Sequence, residues 1–411
     1  RFLKAKTLAV GRDMRWSGES LCQAATEGAR DCGADVVDLG VITTPMSYFG
    51  GGRLKTDGSL MTTASHNPGA YNGFKLCREE ARALSRDSGI AELEEMVKSP
   101  PVKAARRGSL AARDVWPEYK KHVLSFAEGI RPVKVVLDTG NGMGGKYFPE
   151  LLATLGIEAV LLYPELDGRF PNHEANPLKD EKIAELKKAV VKERAVMGIA
   201  LDGDADRCAF ISEKGERIPC DLVTVLLARE MLRKAPGRAV VYDLRSSWVV
   251  PEEIEKAGGK PLRERVGHSF MKATLREHQG IFGGELSGHY YFRDNYYADS
   301  AAIAVVAMLN LLSRAGRPLS EVVAPLRRYF PSGEINFPVA DKEARMEALV
   351  RRFPGARVDR LDGVTLTLDD WWCNVRPSNT EPMLRLNLEA RTREGLASCL
   401  EEIQGILGKP E

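Results

Sequence analysis

The 411-residue sequence predicts three α/β units followed by one α+β unit. Two observations carry this reading. From Leu8 to about Gly283, short β-rich apolar runs alternate with amphipathic helical stretches, as βαβ units and mostly parallel sheets require. From about Pro331 the pattern changes. Met383–Ala390 puts Leu384, Leu386 and Leu388 on one face and Arg385, Asn387 and Glu389 on the other, as in an antiparallel sheet with one solvated face. The length allows two to four domains, at roughly 100–200 residues each. Four are expected, at 1-128, 129-220, 221-330 and 331-411.

In order along the chain, Leu8–Val10 reads as a strand and Ser17–Cys32 as a helix capped by Ser17. Val36–Leu39 is the next strand, and Gly58–Thr63 leads into a polar loop. Arg78–Arg113 is charged and interrupted by Pro, so helix mixed with irregular chain is expected there. A helix over Trp116–Phe126 closes the unit. The second unit opens with Val133–Leu137, a continuous apolar run suited to a buried parallel strand. A helix to about Leu155, strand Val160–Leu162, helix Asp180–Lys192 and strand Val196–Leu201 follow. The third unit reads as helix Leu222–Arg233, strand Ala239–Tyr242, helix Trp248–Ala257, strand Leu262–Val266, helix Phe270–Glu277 and strand Ile281–Gly283. Ala301–Leu312 is apolar, but it is interrupted by Asn310 and too short to span a bilayer, so it reads as a buried helix. In the last unit Thr365, Thr367, Trp371, Cys373 and Val375 fall in strand-like runs, and Glu394–Leu407 reads as a closing helix.

Composition excludes several classes. Lys and Arg number 59 against 57 Asp and Glu, a net charge of +2, which argues against a dedicated nucleic-acid binder. Neither a membrane span nor a secretory signal is indicated. The seven cysteines are scattered without a C-x-x-C pair, as expected of free thiols in a reducing cytosol and not of a disulfide framework or zinc site. The chain opens with Arg1 and not Met, so an upstream segment is expected.

Four polar loops carry the chemistry. Ligands of open parallel sheets sit beyond the carboxyl ends of the strands, where three of these loops fall. Asp202-Gly203-Asp204-Ala205-Asp206-Arg207 follows an apolar strand. Three alternating carboxylates repel one another and call for a hard cation such as Mg²⁺ or Mn²⁺. An EF-hand is rejected, because Arg207 stands where its turn needs Gly and the flanks are strands. A solvated acidic turn is the bland alternative. In Thr63-Ala64-Ser65-His66-Asn67-Pro68, Ser65 beside His66 does not make a Ser-His-Asp triad, and no G-x-S-x-G elbow exists. The loop is either a capped turn or a Ser that carries a phosphoryl group beside the cation. Lys75 follows closely enough to shuttle a proton if its neighbours depress its pKa, or to be a surface Lys. Glu285, Ser287 and His289 alternate in Gly284-Glu285-Leu286-Ser287-Gly288-His289, offering donors and acceptors to sugar hydroxyls, or forming a plain loop. Arg376-Pro377-Ser378-Asn379-Thr380-Glu381-Pro382 gathers a guanidinium, hydroxyls and an amide, either a cradle for a phosphate dianion or a Pro-bounded turn.

Taken together and in this order, the four loops resemble those of the α-D-phosphohexomutase superfamily, in its phosphomannomutase/phosphoglucomutase branch. Gly11-Arg12-Asp13-Met14-Arg15, Asp138-Thr139-Gly140-Asn141-Gly142 and Val266-Gly267-His268-Ser269 add to the likeness. The resemblance implies three similar α/β domains with mixed, mostly parallel sheets plus a C-terminal α+β domain with an antiparallel sheet, arranged around a central cleft. It implies a phosphoserine enzyme that interconverts hexose 1-phosphate and hexose 6-phosphate, on mannose, glucose or both. Mg²⁺ would be its cofactor and glucose 1,6-bisphosphate its activator and intermediate. Carried over, Ser65 is the phosphoryl carrier, and Asp202, Asp204 and Asp206 hold the metal together with Ser65. Lys75 is the acid/base, with His66, Arg207 and His268 beside it. Arg245, Glu285, Ser287 and His289 face the sugar, while Arg376, Ser378, Asn379 and Thr380 hold the non-reacting phosphate. Arg245 departs from the pattern, standing where some members have Lys. The members also carry a strand and an Arg-containing loop ahead of the Gly11-Arg12-Asp13 stretch, which would line the same cleft. Phosphoglucosamine mutase, a metal-dependent sugar phosphatase and a non-catalytic sugar-phosphate-binding protein are the rival readings. A cytosolic monomer or homodimer is expected, with hexose phosphates as partners and neither nucleic acid nor membrane.

Overall fold

A computed structural model describes residues 2–100, 102–378 and 381–410. Four sheets form. The first orders its strands Phe74–Arg78, Gly58–Thr62, Thr7–Arg12, Asp35–Val41 and Leu110–Ala112. The second runs Glu158–Leu162, Lys134–Asp138, Met197–Leu201, Cys208–Ser212. The third runs Lys260–Glu264, Ala239–Asp243, Phe282–Gly284, Tyr290–Phe292, Ala298–Asp299. One arrangement recurs in all three. A first strand pairs in parallel with the second and third, and the third returns as an antiparallel hairpin into the fourth. The turn of that hairpin is in each case a loop marked by the sequence: 63–73, 202–207 and 285–289. The last sheet is antiparallel throughout, in the order Phe330–Pro338, Met383–Ala390, Trp371–Pro377, Val364–Thr367, Arg357–Asp359.

The central strands Val135–Leu137 and Met197–Leu201 are fully buried, as their unbroken apolar runs require. A continuous hydrophobic cluster joins the first three sheets, from Ala9 and Met46 through Leu137 and Phe210 to Val240 and Phe282. The helix Ala301–Ala315 lies within it. Its interrupting Asn310 is buried and satisfied: Oδ1 accepts from Glu128 N (2.8 Å) and Nδ2 donates to the Phe126 carbonyl (2.8 Å). The last sheet packs with helices Lys342–Arg352 and Arg393–Leu407 around a separate core that includes Phe337, Leu366 and Leu386.

Several elements differ from expectation. The helix Thr44–Arg53 is not foreseen, because Gly50, Gly51 and Gly52 lower its propensity. Those glycines serve packing: a Cβ at Gly50 would lie 2.8 Å from Leu39 Cδ1, and one at Gly52 2.6 Å from the Tyr296 ring. Ser17 does not cap its helix with its side chain; its Oγ accepts from Asn72 Nδ2 at 3.0 Å. The helix expected from Asp180 begins at Ala184, and that expected from Phe270 begins at His268. The polar face of Met383–Ala390 is not solvated, since Asn387 and Glu389 are buried. It faces a cleft of about 720 Å³ lined also by Arg245, Ser287 and Glu334.

In the second unit, Asp138 Oδ1 accepts from Gly140 N in the turn that follows its strand, and His173 Nε2 lies 3.1 Å from both Asp138 oxygens. Burial opposes charge on His173, but the Asp138 carboxylate outweighs it and raises the His173 pKa above its usual value. A folded-state pKa raised above the unfolded one stabilises fully below the unfolded pKa and loses that contribution as pH rises through the folded value. Unfolding midpoints measured from pH 6 to pH 8 should therefore fall, and His173→Gln should flatten that dependence.

Candidate active site

Met61 pairs with Lys75 across the first hairpin, Leu201 with Cys208 across the second, and Gly284 with Tyr290 across the third. The three loops so held meet. Ser65 Oγ donates to Asp202 Oδ2 at 2.6 Å, and the Ser65 backbone is left-handed (φ 51°). Gly203 allows this approach: a Cβ there would lie 2.5 Å from the Ser65 carbonyl oxygen. The Asp202–Arg207 loop joins the Gly284–His289 loop (the metal and sugar loops, named for what the resemblance implies) through an antiparallel bridge between Arg207 and His289, where Cys208 N donates to the Gly288 carbonyl (3.1 Å). The sugar loop thus abuts the Ser and metal loops.

Asp202, Asp204 and Asp206 are buried, with one oxygen of each within 4.8 Å of the others. Asp202 Oδ1 accepts from the backbone N–H groups of Asp206 and Arg207, both at 3.1 Å. Thr44 Oγ1 donates to Asp204 Oδ2 at 2.5 Å, as does Lys75 Nζ at 2.7 Å; Lys75 also pairs with Asp206. Among the described residues, Asp204 Oδ1 is buried without a partner, and Asp206 Oδ1 has none nearer than His289 Nε2 at 3.5 Å. Unsatisfied buried carboxylate oxygens beside a serine hydroxyl are a hard-oxygen donor set that suits a divalent cation. Asp202 and Asp206 are shifted in opposite directions. Burial and the charges of Asp206 and Asp204 push Asp202 well up. For Asp206, burial is overcome by Lys75, His289 and Arg207, which hold it well down.

The condition set for Lys75 as a proton shuttle, a depressed pKa, is not met, and Lys75 is not a free surface Lys either. Burial opposes its charge, but Asp204, Asp206 and Asp202 prevail and hold it above the usual lysine range, as an ammonium. His66 is lowered to about 4 by burial and Arg207, hence neutral at pH 7; its Nδ1 is 3.4 Å from Ser65 Oγ. His268, lowered by burial and then Lys272, is neutral too, with its ring 6.4 Å from that of His289 and Nδ1 unpartnered among the described residues. Arg207 Nε lies 3.2 Å from His289 Nε2 and 3.9 Å from Asp202 Oδ2. In the sugar loop, Ser287 Oγ lies 2.8 Å from His289 Nδ1 and 3.4 Å from Glu285 Oε2, while Tyr291 OH bonds Glu285 Oε1.

Asp243 ties this loop to the far side of the cleft. Its Oδ2 accepts from Leu286 N (2.8 Å) and from Arg245 Nη2 (2.8 Å). Arg376 Nη2 donates to Glu334 Oε2 at 3.0 Å. Ser378 is buried, and its carbonyl accepts from Lys342 Nζ (3.0 Å). Asn379 and Thr380 lie outside the described residues.

The sequence reading missed Arg15, Thr44, Tyr291, Glu334 and Arg385 as parts of the site. Arg15 is the largest omission. It is fully buried, pairs with Asp13 (3.2 Å), and donates to the carbonyls of Pro68 (2.8 Å), Tyr71 (3.0 Å), Ser65 (2.8 Å) and Asn67 (2.6 Å). A buried Arg bonded to carbonyls leaves no periodic signal. For Thr44, the Thr-Thr-Pro run was the available clue, with Thr43 as cap and Pro in the first turn.

An anchored hydroxyl beside a carboxylate triad, linked by a loop of Glu285, Ser287 and His289 to guanidiniums at a cleft, suits moving a phosphoryl group between two positions of one sugar. The class this defines is the phosphohexomutases. Comparison with known proteins makes the assignment specific. Models described as phosphoglucomutase/phosphomannomutase alpha/beta/alpha domains I, II and III match residues 1–101, 117–215 and 219–329, and the C-terminal domain matches 334–406. A phosphomannomutase of Salmonella montevideo is 39% identical over 403 residues, covering 95% of this chain and 88% of that protein. A protein of Xanthomonas campestris pv. campestris described as phosphohexose mutases is 38% identical over 400 residues, 96% and 89% of the two chains. The crystal structure of a phosphoglucomutase/phosphomannomutase family protein from Burkholderia thailandensis superposes with a TM-score of 0.90 at 31% identity, covering 98% of this chain and 89% of that one. The chain belongs to the phosphoglucomutase/phosphomannomutase family.

Proposed function

We propose that this enzyme interconverts hexose 1-phosphate and hexose 6-phosphate, of mannose, glucose or both, through phospho-Ser65 and a sugar 1,6-bisphosphate. The observation that carries the reading is the sugar loop, bonded on one side to the Ser65–Asp202 end through Gly288 and on the other to Asp243 and Arg245 through Leu286. One ligand spanning those ends has one phosphate at Ser65 and the other at the guanidiniums.

In the reaction, the free sugar hydroxyl attacks phosphorus on phospho-Ser65 and the bond from phosphorus to Ser65 Oγ breaks. The bisphosphate turns round, Ser65 Oγ attacks the other phosphorus as it gives up its proton, and the bond from that phosphorus to the sugar oxygen breaks, the freed oxygen taking a proton to become the new hydroxyl. Such transfer is mostly positioning and charge stabilisation. Lys75 holds a proton to donate, while neutral His66 stands beside Ser65 Oγ to accept one. His268 lines the same end. Arg207 supplies positive charge at the Ser65 end, and Glu285, Ser287 and His289 orient the hydroxyls. Arg245 stands between the sugar loop and the phosphate cradle, with Arg376, Ser378, Asn379 and Thr380 assigned to that phosphate. Asp202, Asp204, Asp206 and Ser65 would hold Mg²⁺, which neutralises charge on the transferring group when bound. Chelation with EDTA should abolish turnover, and added Mg²⁺ should restore it. Isothermal titration should show one Mg²⁺ site in the wild type and none in Asp204→Asn.

The four units, taken as domains 1-128, 129-220, 221-330 and 331-411, supply one loop each. A cytosolic location is supported by seven free cysteines, and a monomer or homodimer is consistent with a cleft formed within one chain. No single helix among the described residues is long and apolar enough to cross a membrane. The deciding assay uses glucose 1-phosphate, Mg²⁺ and trace glucose 1,6-bisphosphate. Glucose 6-phosphate is the expected product, and free phosphate as the main product would replace the mutase reading with a phosphatase. Relative rates on mannose, glucose and glucosamine 1-phosphates fix the sugar.

A further inference from the structure

Glu334 belongs to none of the sequence motifs and lies in Phe330–Pro338, the edge strand of the last sheet. Its carboxylate is where three guanidiniums meet. Arg376 Nη2 donates at 3.0 Å and Arg385 Nη1 at 3.3 Å, and Arg245 Nη1 lies 3.5 Å away. These cations come from separate segments and oppose one another: burial and Arg245 lower the Arg376 pKa, while Glu334 raises it. Among the described residues, Arg376 Nε and Arg385 Nε are buried without partners, as are Oδ1 of Asn336 and Asn387 in the adjoining cleft wall. The cradle thus keeps unused hydrogen-bonding capacity after Glu334 is bound.

The charge balance is informative. A phosphate monoester carries about −1.5 to −2 charges at neutral pH. Arg245 is already paired with Asp243, so the three guanidiniums, Asp243 and Glu334 leave a net charge of +1 for the phosphate; without Glu334 it would be +2, which grips a phosphate dianion harder. A bisphosphate that must let go and turn round is poorly served by a cradle that grips too hard.

We propose that Glu334 is a positioning residue, the internal counter-ion of the phosphate cradle, which holds Arg245, Arg376 and Arg385 in place and weakens their grip so that the bisphosphate can release and reorient. The inference rests on the preceding reading that this cluster holds the non-reacting phosphate.

The test is competition by inorganic phosphate in the mutase assay, with KM and kcat measured separately. Glu334→Gln should lower the phosphate Ki about threefold to tenfold, lower KM for glucose 1-phosphate and lower kcat. Arg385→Gln should raise Ki, and the double variant E334Q/R385Q, its balance restored, should return to within about threefold of wild type. The double variant also answers the question if Glu334→Gln alone does not fold. A Ki raised by Glu334→Gln, or a double variant weaker than Arg385→Gln alone, overturns the inference. If inorganic phosphate does not compete in the wild type and Arg376→Gln changes nothing, the phosphate-cradle reading itself fails.

Discussion

Ser65→Ala should lower turnover by at least about 10³-fold, because a missing carrier is not replaced by the groups around it. Intact mass should show a fraction of wild-type protein heavier by one phosphoryl group, and this species should be missing from the variant. The fold should survive, since Ser65 Oγ bonds little beyond Asp202 and the loop is held by its backbone through Thr63 and Arg15. A heavier species and normal turnover in Ser65→Ala would remove Ser65 from the mechanism.

Arg15→Met should cost about 3–5 kcal/mol of stability, because it leaves the Asp13 carboxylate buried with its cation removed. Asp13 keeps bonds from Arg15 N (2.9 Å) and Thr63 Oγ1 (2.7 Å), which the substitution does not touch, but burial already pushes its pKa up. Four carbonyls of the Ser65 loop also lose their donor. Activity should fall further than stability explains, because the left-handed Ser65 backbone is an uncommon conformation that its surroundings must maintain. Calorimetry with kcat measured well below the melting range separates the two effects. Arg15→Lys keeps the charge but lacks the planar fork that reaches Ser65, Asn67, Pro68 and Tyr71 together, so it should recover stability more than turnover. A kcat for Arg15→Met close to wild type would show that the loop holds its shape without this clamp.

The legible parts of this molecule were those written in contiguous residues. Val133–Leu137 and Val196–Leu201 announced buried parallel strands, and three alternating Asp after one of them announced a carboxylate cluster, which the fold buries. What escaped was made of contacts distant in sequence. Arg15 is defined by carbonyls about 50 residues away. Thr44 meets Asp204 from a helix whose three glycines disguised it. The alternation in Met383–Ala390 gave the strand correctly but named its polar face as solvated, because alternation distinguishes two faces without saying what covers them. The Lys75 pKa was left open by the sequence for a related reason: burial and three carboxylates act in opposite directions there, and their balance depends on distances.

The last unit keeps its own hydrophobic core and meets the third unit through polar bonds. Trp248 N donates to Glu389 and Val266 N to Asp362, Arg263 pairs with Asp359, Arg245 lies against Glu334, and Arg391 stacks on Trp248. Each of these can be exchanged for water with little net cost, whereas separating an apolar interface cannot. Swinging the last unit away from the rest would therefore leave both cores intact and break mainly contacts that dissolved ions screen. Raised ionic strength is therefore expected to loosen this seam more than it loosens either core.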